Sequence, residues 1–241
     1  LGKYTLYDII RKNTKRKELY QIYKDVIKHL VKFQVLGESS LDFNLCYETI
    51  TFDQEQIKLD ADKFKNYFLI EYLQKETNLL DDKILDDIMN LTINVSENYF
   101  MYRDFQPRNI IINDNEPYFV DYQSGRLGPP QYDLISFLYS GSIDITNEER
   151  AELKHHYFEE FNKYEKLEEE TFFKSLDYFV LLRIIQVLGS YTYSYFKKKN
   201  KNVLNKIPVA IGNLQDLELN SNLDNLREQI IELYTTHISK H

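Results

Sequence analysis

The residues best suited to chemistry lie in the middle of the chain. Asp104 and Asn109 are five positions apart, and Asp121 follows Asn109 by twelve positions. An aspartate on a tight loop can orient an attacking hydroxyl or accept its proton. Asparagine and aspartate supply the oxygen ligands that Mg²⁺ prefers, and this ion holds a triphosphate in line for attack. The pattern therefore predicts phosphoryl transfer, with Asp104 as the catalytic residue and Asn109 and Asp121 as the metal ligands.

A β-hairpin is expected to bring the two metal-ligand candidates together. Apolar residues 110–112 follow Asn109, and a second short apolar run, 118–120, ends at Asp121. The residues between the runs, 113–117, have the composition of a turn. Because the two ends of a hairpin are adjacent, Asn109 and Asp121 can then reach one ion. The alternative interpretation is a surface turn made of common polar residues.

Two segments carry a resemblance to a known family. YRDFQPRNIII, residues 102–112, and VDYQSGRLGPPQYDL, residues 120–134, resemble the aminoglycoside phosphotransferase and choline kinase superfamily, whose fold is protein-kinase-like. Within that superfamily they look most like the bacterial cell-wall amino-sugar kinases. Tyr102 stands where a kinase catalytic loop usually has histidine. The resemblance implies ATP and Mg²⁺ as cofactors, a small-molecule hydroxyl as the acceptor, and Asn109 and Asp121 as residues that bind the nucleotide through the metal.

The candidate substrate residues are all neutral or basic. They are Arg103, Gln106, Arg108, Gln123, Ser124, Arg126, Arg183 and Gln186. Arg103 and Arg108 pair either with phosphate or with structural carboxylates. Arg183 and Gln186, three positions apart on a helix, either contact substrate or are a pair of satisfied polar residues at a helix boundary. The set favours an amino sugar, such as N-acetylmuramate or N-acetylglucosamine, over a cationic aminoglycoside or choline. A kinase-like module that binds without catalysis is a third alternative.

Composition restricts the class of protein. The chain has 241 residues, 43% of them hydrophobic, which is enough for a sizeable core. Its net charge of −8 argues against a nucleic-acid partner, and no apolar stretch has the length of a membrane span. The single cysteine, Cys46, excludes an internal disulfide and suits the reducing cytoplasm. A cytoplasmic enzyme with a small-molecule substrate fits these features, and they leave the oligomeric state open.

Helical periodicity dominates the sequence on both sides of the hairpin. Apolar spacing predicts helices over residues 19–33, 64–72, 84–91, 132–139, 147–164, 172–188 and 223–239, with residues 39–58 irregular. Gly37 is the expected stop of the first of them. Asp133, at the start of another, either caps it or, as the resemblance implies, supports the active-site loop. The expected fold class is mainly α with short β-hairpins, similar to the C-terminal lobe of a protein kinase.

The start of the chain carries a further expectation. The sequence begins at Leu1 and contains no G-x-G-x-x-G loop, so the resemblance implies that the N-terminal nucleotide lobe is absent and that this fragment alone is inactive. Residues 1–241 then form one kinase-like C-terminal lobe. Within it, we expect residues 1–140 to be the catalytic-loop core and residues 141–241 to be a helical subdomain on the substrate side.

Overall fold

The computed structural model describes residues 4–12, 14–38, 41–45, 49–96 and 98–240; Cys46 lies outside these ranges. The α-helices are α1 (Leu6–Arg11), α2 (Arg16–Glu38), α3 (Gln54–Lys63), α4 (Asp82–Leu91), α5 (Gln131–Leu138), α6 (Asn147–Phe161), α7 (Glu169–Lys198), α8 (Ile207–Gly212) and α9 (Ser221–Ile238). The β-strands are β1 (Tyr4–Thr5), β2 (Tyr99–Met101), β3 (Ile110–Asn113), β4 (Glu116–Phe119) and β5 (Arg126–Gly128). These elements confirm the expected class, mainly α with short strands. Within the described ranges, no helix combines the length and the apolar character needed to cross a bilayer.

The chain forms two compact units. The first combines Leu1–Phe52 with Ser96–Phe173, and the second combines Asp53–Val95 with Lys174–His241. Each unit is therefore built from two separate stretches of sequence, whereas the sequence suggested a single division at residue 140. The assignment of residues 1–140 to catalysis and of residues 141–241 to the substrate side stays a prediction.

Two small antiparallel sheets lie in the first unit, and one of them contains the hairpin between Asn109 and Asp121. β3 pairs with β1 on one side and with β4 on the other, and β2 pairs with β5. Ile110 lies opposite Phe119, and the chain reverses at Asp114 and Asn115, whose φ angles are 51° and 66°. A two-residue turn with positive φ matches the twist of paired strands, and aspartate and asparagine tolerate that conformation. The predicted hairpin is confirmed.

Helix α2 supports both the sheets and the neighbouring helix in the first unit. Its apolar face, which includes Tyr23, Val26 and Leu30, is buried, and the helix packs against α6 and β2. The ring of Phe33 contacts Phe100 of β2 edge-on, with centroids 4.8 Å apart. Helix α2 ends at Glu38, one residue beyond the predicted stop at Gly37.

An aromatic cluster lies beneath the segment that contains Asp104. Phe105 contacts Tyr102, Phe119 and Phe137, with centroid distances of 5.5, 4.9 and 5.7 Å. Phe105 and Phe137 have no exposed surface. Tilted or edge-on ring pairs each contribute about 0.5–1.5 kcal/mol beyond their buried area. The cluster therefore fixes the loop, β4 and α5 against one another.

The second unit consists of helices and the loops between them. Residues 54–58, predicted to be irregular, instead open α3, because the side chain of Asp53 caps the helix by accepting from the Gln56 N–H at 3.2 Å. α3 continues without a break into a π-helical segment, Phe64–Tyr72. This segment corresponds to the helix predicted over residues 64–72.

Helix α7 approaches the π-helical segment closely enough to require a glycine. A Cβ atom placed on Gly189 would lie 2.6 Å from the backbone nitrogen of Phe64. Real side chains do not fit at that distance, so Gly189 sets the packing distance between the two helical segments. α7 also continues to Lys198, well beyond the predicted end at residue 188.

Candidate active site

Residues 102–109 form a loop directly after strand β2, so the sheet sets the position of the loop. Arg103 has a φ of 73°, an uncommon conformation for a residue other than glycine. The next two residues alternate in exposure: Asp104 is partly exposed, and Phe105 is completely buried. The candidate catalytic carboxylate is therefore open to a substrate while the residue beside it is anchored in the core.

The carboxylate of Asp133 holds the start of this loop. Its Oδ2 accepts a hydrogen bond from the Tyr102 N–H at 2.6 Å, and its Oδ1 accepts one from the Arg103 N–H at 2.8 Å. Asp133 has no exposed surface. The alternative expectation, a helix cap, is wrong: Pro130 occupies the N-cap of α5 and Asp133 lies inside its first turn. The residue supports the active-site loop, as the resemblance implied.

A buried network extends from Asp133 to two helices of the first unit. Gln34 of α2 donates from its amide nitrogen to Asp133 Oδ2 at 3.2 Å and to the Pro130 carbonyl at 3.0 Å. The Tyr157 hydroxyl of α6 donates to Gln34 Oε1 at 2.6 Å, and burial raises the pKa of this tyrosine. Because a hydroxyl donor fixes the amide oxygen, the amide nitrogen must face Asp133. Tyr157 thereby sets the direction of the Gln34 donor.

Asn109 and Asp121 lie at the open ends of β3 and β4. The Asn109 carbonyl accepts a hydrogen bond from the Val120 N–H at 3.0 Å, which fixes Asn109 beside the residue that precedes Asp121. The Asn109 side chain donates from Nδ2 to the Asp104 carbonyl at 2.9 Å, which leaves Oδ1 as an acceptor. Asp121 is exposed, with a φ of 70°. The hairpin thus brings Asp104, Asn109 and Asp121 to one place through backbone geometry.

Tyr102 connects the loop to the strand that leads to Asp121. Its hydroxyl donates a hydrogen bond to the Val120 carbonyl. Burial raises the pKa of Tyr102, and the negative charges of Asp121, Asp133 and Asp104 raise it further, so the hydroxyl stays a donor. The long phenol ring therefore ties the two segments together in the position where kinase catalytic loops carry histidine.

The donor set at the open end of the hairpin fits Mg²⁺ that also binds phosphate. Mg²⁺ is commonly held by one or two protein oxygens, with substrate phosphates and water completing its six ligands. Within the described part of the chain, no group of three or more His, Cys, Asp or Glu side chains could hold a metal ion. Asn109 Oδ1 and the Asp121 carboxylate are the atoms that would hold the ion, with the remaining ligands coming from the nucleotide and solvent.

The candidate substrate residues of the first unit occupy different environments. Gln106 is partly buried, Gln123 is exposed, and Arg108 is exposed with its guanidinium stacked on Tyr7. Arg126, by contrast, has no exposed surface and donates to the Ser124 carbonyl at 3.2 Å and to Thr49 Oγ1 at 2.7 Å. Arg126 therefore braces the loop between β4 and β5, and substrate contact by any of these residues stays a prediction.

Comparison with known proteins identifies the family. Residues 6–169, more than half of the chain, match the model of the phosphotransferase enzyme family. The chain belongs to this family. The matched range contains the whole catalytic loop, the hairpin and Asp133.

Two curated members of similar sequence show how much of a relative the chain covers. A LicA homolog of Mycoplasma capricolum is 26% identical over 176 residues, which are 71% of this chain and 65% of the relative. An N-acetylmuramate/N-acetylglucosamine kinase of Neisseria meningitidis is 21% identical over 170 residues, 68% of this chain and 51% of the relative. The chain therefore spans less than two thirds of the length of either protein.

Solved structures confirm that the chain has the fold of choline kinases and aminoglycoside phosphotransferases. A choline kinase of Cryptosporidium parvum aligns with a TM-score of 0.57 and 13% identity, over 92% of this chain and 70% of that one. The gentamicin complex of APH(2″)-IIa aligns with a TM-score of 0.54 and 17% identity, over 90% of this chain and 69% of that one. At such identities the alignments establish a shared fold alone.

The remaining substrate candidates, Arg183 and Gln186, lie on α7 in the second unit. Arg183 Nη1 donates to Gln186 Oε1 at 2.7 Å, and Gln186 Nε2 donates to Ser190 Oγ at 3.0 Å. Arg183 is almost fully buried. The two side chains pair with each other, as one interpretation expected, but they do so in the middle of α7 and not at a helix boundary. Their contact with substrate stays a prediction.

Sequence reasoning missed Gln34, Tyr157 and Tyr7. Gln34 is a polar residue three and four positions after the apolar Val31 and Leu30, so helical spacing puts it on the apolar face of α2, which indicates a buried side-chain partner. Tyr157 and Tyr7 give no such signal, because tyrosine is common both in cores and at surfaces.

Proposed function

We propose that this phosphotransferase transfers the terminal phosphoryl group of ATP, with Mg²⁺, to a hydroxyl of an amino sugar such as N-acetylmuramate or N-acetylglucosamine. The proposal rests on the proximity of Asp104, Asn109 and Asp121 at one end of the hairpin. Asn109 Nδ2 donates to the Asp104 carbonyl, and the Asn109 carbonyl accepts from the N–H of Val120, the residue before Asp121. The Neisseria kinase named above supports the acceptor class. The use of ATP favours the cytoplasm as its compartment.

Each side chain has a role that follows from its position. The partly exposed Asp104 carboxylate orients the acceptor hydroxyl and takes its proton as the new O–P bond forms and the bond to the leaving diphosphate breaks. Asn109 and Asp121 hold the metal ion, which, when bound, neutralises phosphate charge. Asp133 holds the loop by accepting from the Tyr102 N–H, and the Tyr102 hydroxyl holds the loop against the hairpin by donating to the Val120 carbonyl. The reaction needs no covalent enzyme intermediate.

The charges next to Asp104 favour a neutral or acidic acceptor. Arg103 precedes it, Gln106 and Arg108 follow it, and Arg108 is exposed. A polycation such as an aminoglycoside, or the quaternary ammonium group of choline, gains nothing from these neighbours. A sugar presents hydroxyl and amide groups that such residues can bind by hydrogen bonds.

The test uses the natural protein that carries this chain, with ATP and Mg²⁺. N-acetylmuramate and N-acetylglucosamine should be phosphorylated, whereas choline and kanamycin should not. Asp104→Asn should lower kcat at least about a hundredfold, the usual scale for a positioned acid or base, without loss of fold. Asp114→Asn, a matched change at the exposed hairpin turn, should keep kcat within about twofold.

Two results would contradict the proposal. A preference for choline or kanamycin would refute the acceptor class. Turnover by Asp104→Asn close to that of the unchanged protein would refute the role of Asp104.

A further inference from the structure

Arg108 lies beside the candidate active site without taking part in its hydrogen bonds. It belongs to the short 3-10 turn Pro107–Asn109 and directly precedes the metal-ligand candidate Asn109. Its guanidinium stacks on the ring of Tyr7 in α1, 3.8 Å from the ring centroid. Tyr7 is itself held by Arg11, whose Nη1 donates to the tyrosine hydroxyl at 2.8 Å. An exposed arginine directly before Asn109 is thus stacked on an aromatic ring.

Stacking on Tyr7 leaves the N–H groups of the Arg108 guanidinium able to donate hydrogen bonds to a ligand. A guanidinium stacked on an aromatic ring uses its flat face, and its N–H groups point outward in the plane, where they match a carboxylate with two parallel hydrogen bonds. Within the described ranges, no carboxylate lies in ion-pair contact with Arg108; the nearby Asp8 is engaged elsewhere. Its Oδ2 accepts from the Thr5 N–H at 3.0 Å and from Thr5 Oγ1 at 2.7 Å, and these bonds lower the pKa of Asp8.

The local charge also favours an anion. Arg11, Lys12 and Arg108 surround Tyr4 and Tyr7, and Asp8 is the carboxylate among them. This corner is therefore positive, whereas the whole chain carries a net charge of −8. A positive patch on an acidic protein raises the local concentration of anionic ligands.

We propose, on the basis of the function proposed above, that Arg108 binds a carboxylate of the acceptor and makes the enzyme selective for a carboxylate-bearing amino sugar. N-acetylmuramate carries such a group on its lactyl ether, and N-acetylglucosamine does not. Asp104 then receives the reacting hydroxyl while Arg108, four positions later in the same loop, receives the carboxylate. Arg108 is a specificity residue, because it contacts the substrate away from the reacting atoms.

The experiment compares kcat/KM for the two sugars in the natural protein and its variants. Arg108→Gln should lower the ratio of N-acetylmuramate to N-acetylglucosamine at least about tenfold, mainly through KM for N-acetylmuramate, since a charge-assisted bidentate contact is lost. Arg108→Lys, which keeps the charge without the fork, should lower the ratio by a smaller factor. Lys12→Gln removes the same charge from the same patch and should change the ratio by less than about twofold.

Two results would overturn the inference. One is an unchanged ratio after Arg108→Gln, which includes an equal fall in kcat/KM for both sugars, as loss of a nucleotide contact or of loop structure would produce. The other is the same change in ratio with Lys12→Gln, which would indicate general electrostatics. If the natural protein phosphorylates N-acetylglucosamine and Arg108→Gln leaves the kcat/KM ratio of the two sugars unchanged, this inference is refuted and the proposed function stands. If the natural protein phosphorylates neither sugar, both are refuted.

Discussion

Replacing Asp133 by asparagine should loosen the catalytic loop while preserving side-chain shape. The carboxylate accepts hydrogen bonds from the backbone N–H groups of Tyr102 and Arg103 and from the side-chain amide of Gln34. An asparagine has one acceptor oxygen and one amide donor. In its better orientation the oxygen keeps the Tyr102 and Gln34 bonds, and its NH₂ group faces the Arg103 N–H, which loses its partner.

The cost follows from these contacts. A buried N–H left without an acceptor costs about 1–3 kcal/mol, and a neutral acceptor weakens the two remaining bonds by several tenths of a kcal/mol each. We therefore expect a loss of about 2–4 kcal/mol in the free energy of unfolding. Arg103, whose φ is 73°, also loses the partner that holds it in a conformation costing on the order of 1 kcal/mol. The loop can then relax, and a shift of about 1 Å at Asp104 is enough to lower kcat as much as a hundredfold.

Urea unfolding followed by circular dichroism measures the stability, and steady-state phosphorylation measures kcat. The matched control is Asp81→Asn at the exposed N-cap of α4, where Asp81 accepts from the Ile84 N–H and asparagine caps equally well. Tyr157→Phe probes the far end of the network and should cost about 1 kcal/mol. The reasoning is refuted if Asp133→Asn matches the control in both stability and kcat.

Two further predictions concern stability alone. Arg16 hydrogen-bonds Glu149 and lowers the pKa of that carboxyl, so the ion pair stabilises the fold fully above the usual glutamate pKa of 4.5 and is lost as the pH falls through the lowered pKa. Glu149→Gln should lower the free energy of unfolding by about 0.5–1 kcal/mol at neutral pH and by progressively less in acid. Urea titrations at several pH values measure this difference. Gly189→Ala should lower the free energy of unfolding by about 1–3 kcal/mol, because the new Cβ would lie 2.6 Å from the Phe64 backbone nitrogen. Gly212→Ala, with open space around its Cβ, should be neutral or stabilising. Equal urea midpoints for the two alanine variants would contradict the packing argument.

The hairpin that brings Asp104, Asn109 and Asp121 together could be predicted from the sequence because its geometry is local. Asp104, Asn109 and Asp121 lie within one short segment, and alternating apolar runs around a turn specify a hairpin without reference to the rest of the chain. Helix periods are local as well, which is why most predicted helices agree with the observed ones to within a few residues. The error at residues 54–58 was a missed local signal, because Asp53 lies three positions before the Gln56 N–H that it caps.

The support of the site, by contrast, was decided by tertiary structure. Gln34 and Asp133 are 99 positions apart, and Tyr157 and Gln34 are 123 apart, so no local periodicity links them. The same holds for Arg126, a substrate candidate in the sequence, whose buried guanidinium donates to Thr49 Oγ1, 77 positions away. A single sequence records which side chains are polar, but the donor that each buried acceptor finds depends on how distant helices pack. The sequence therefore determined the chemistry of the candidate site, and the packing of α2, α5 and α6 determined what holds it in place.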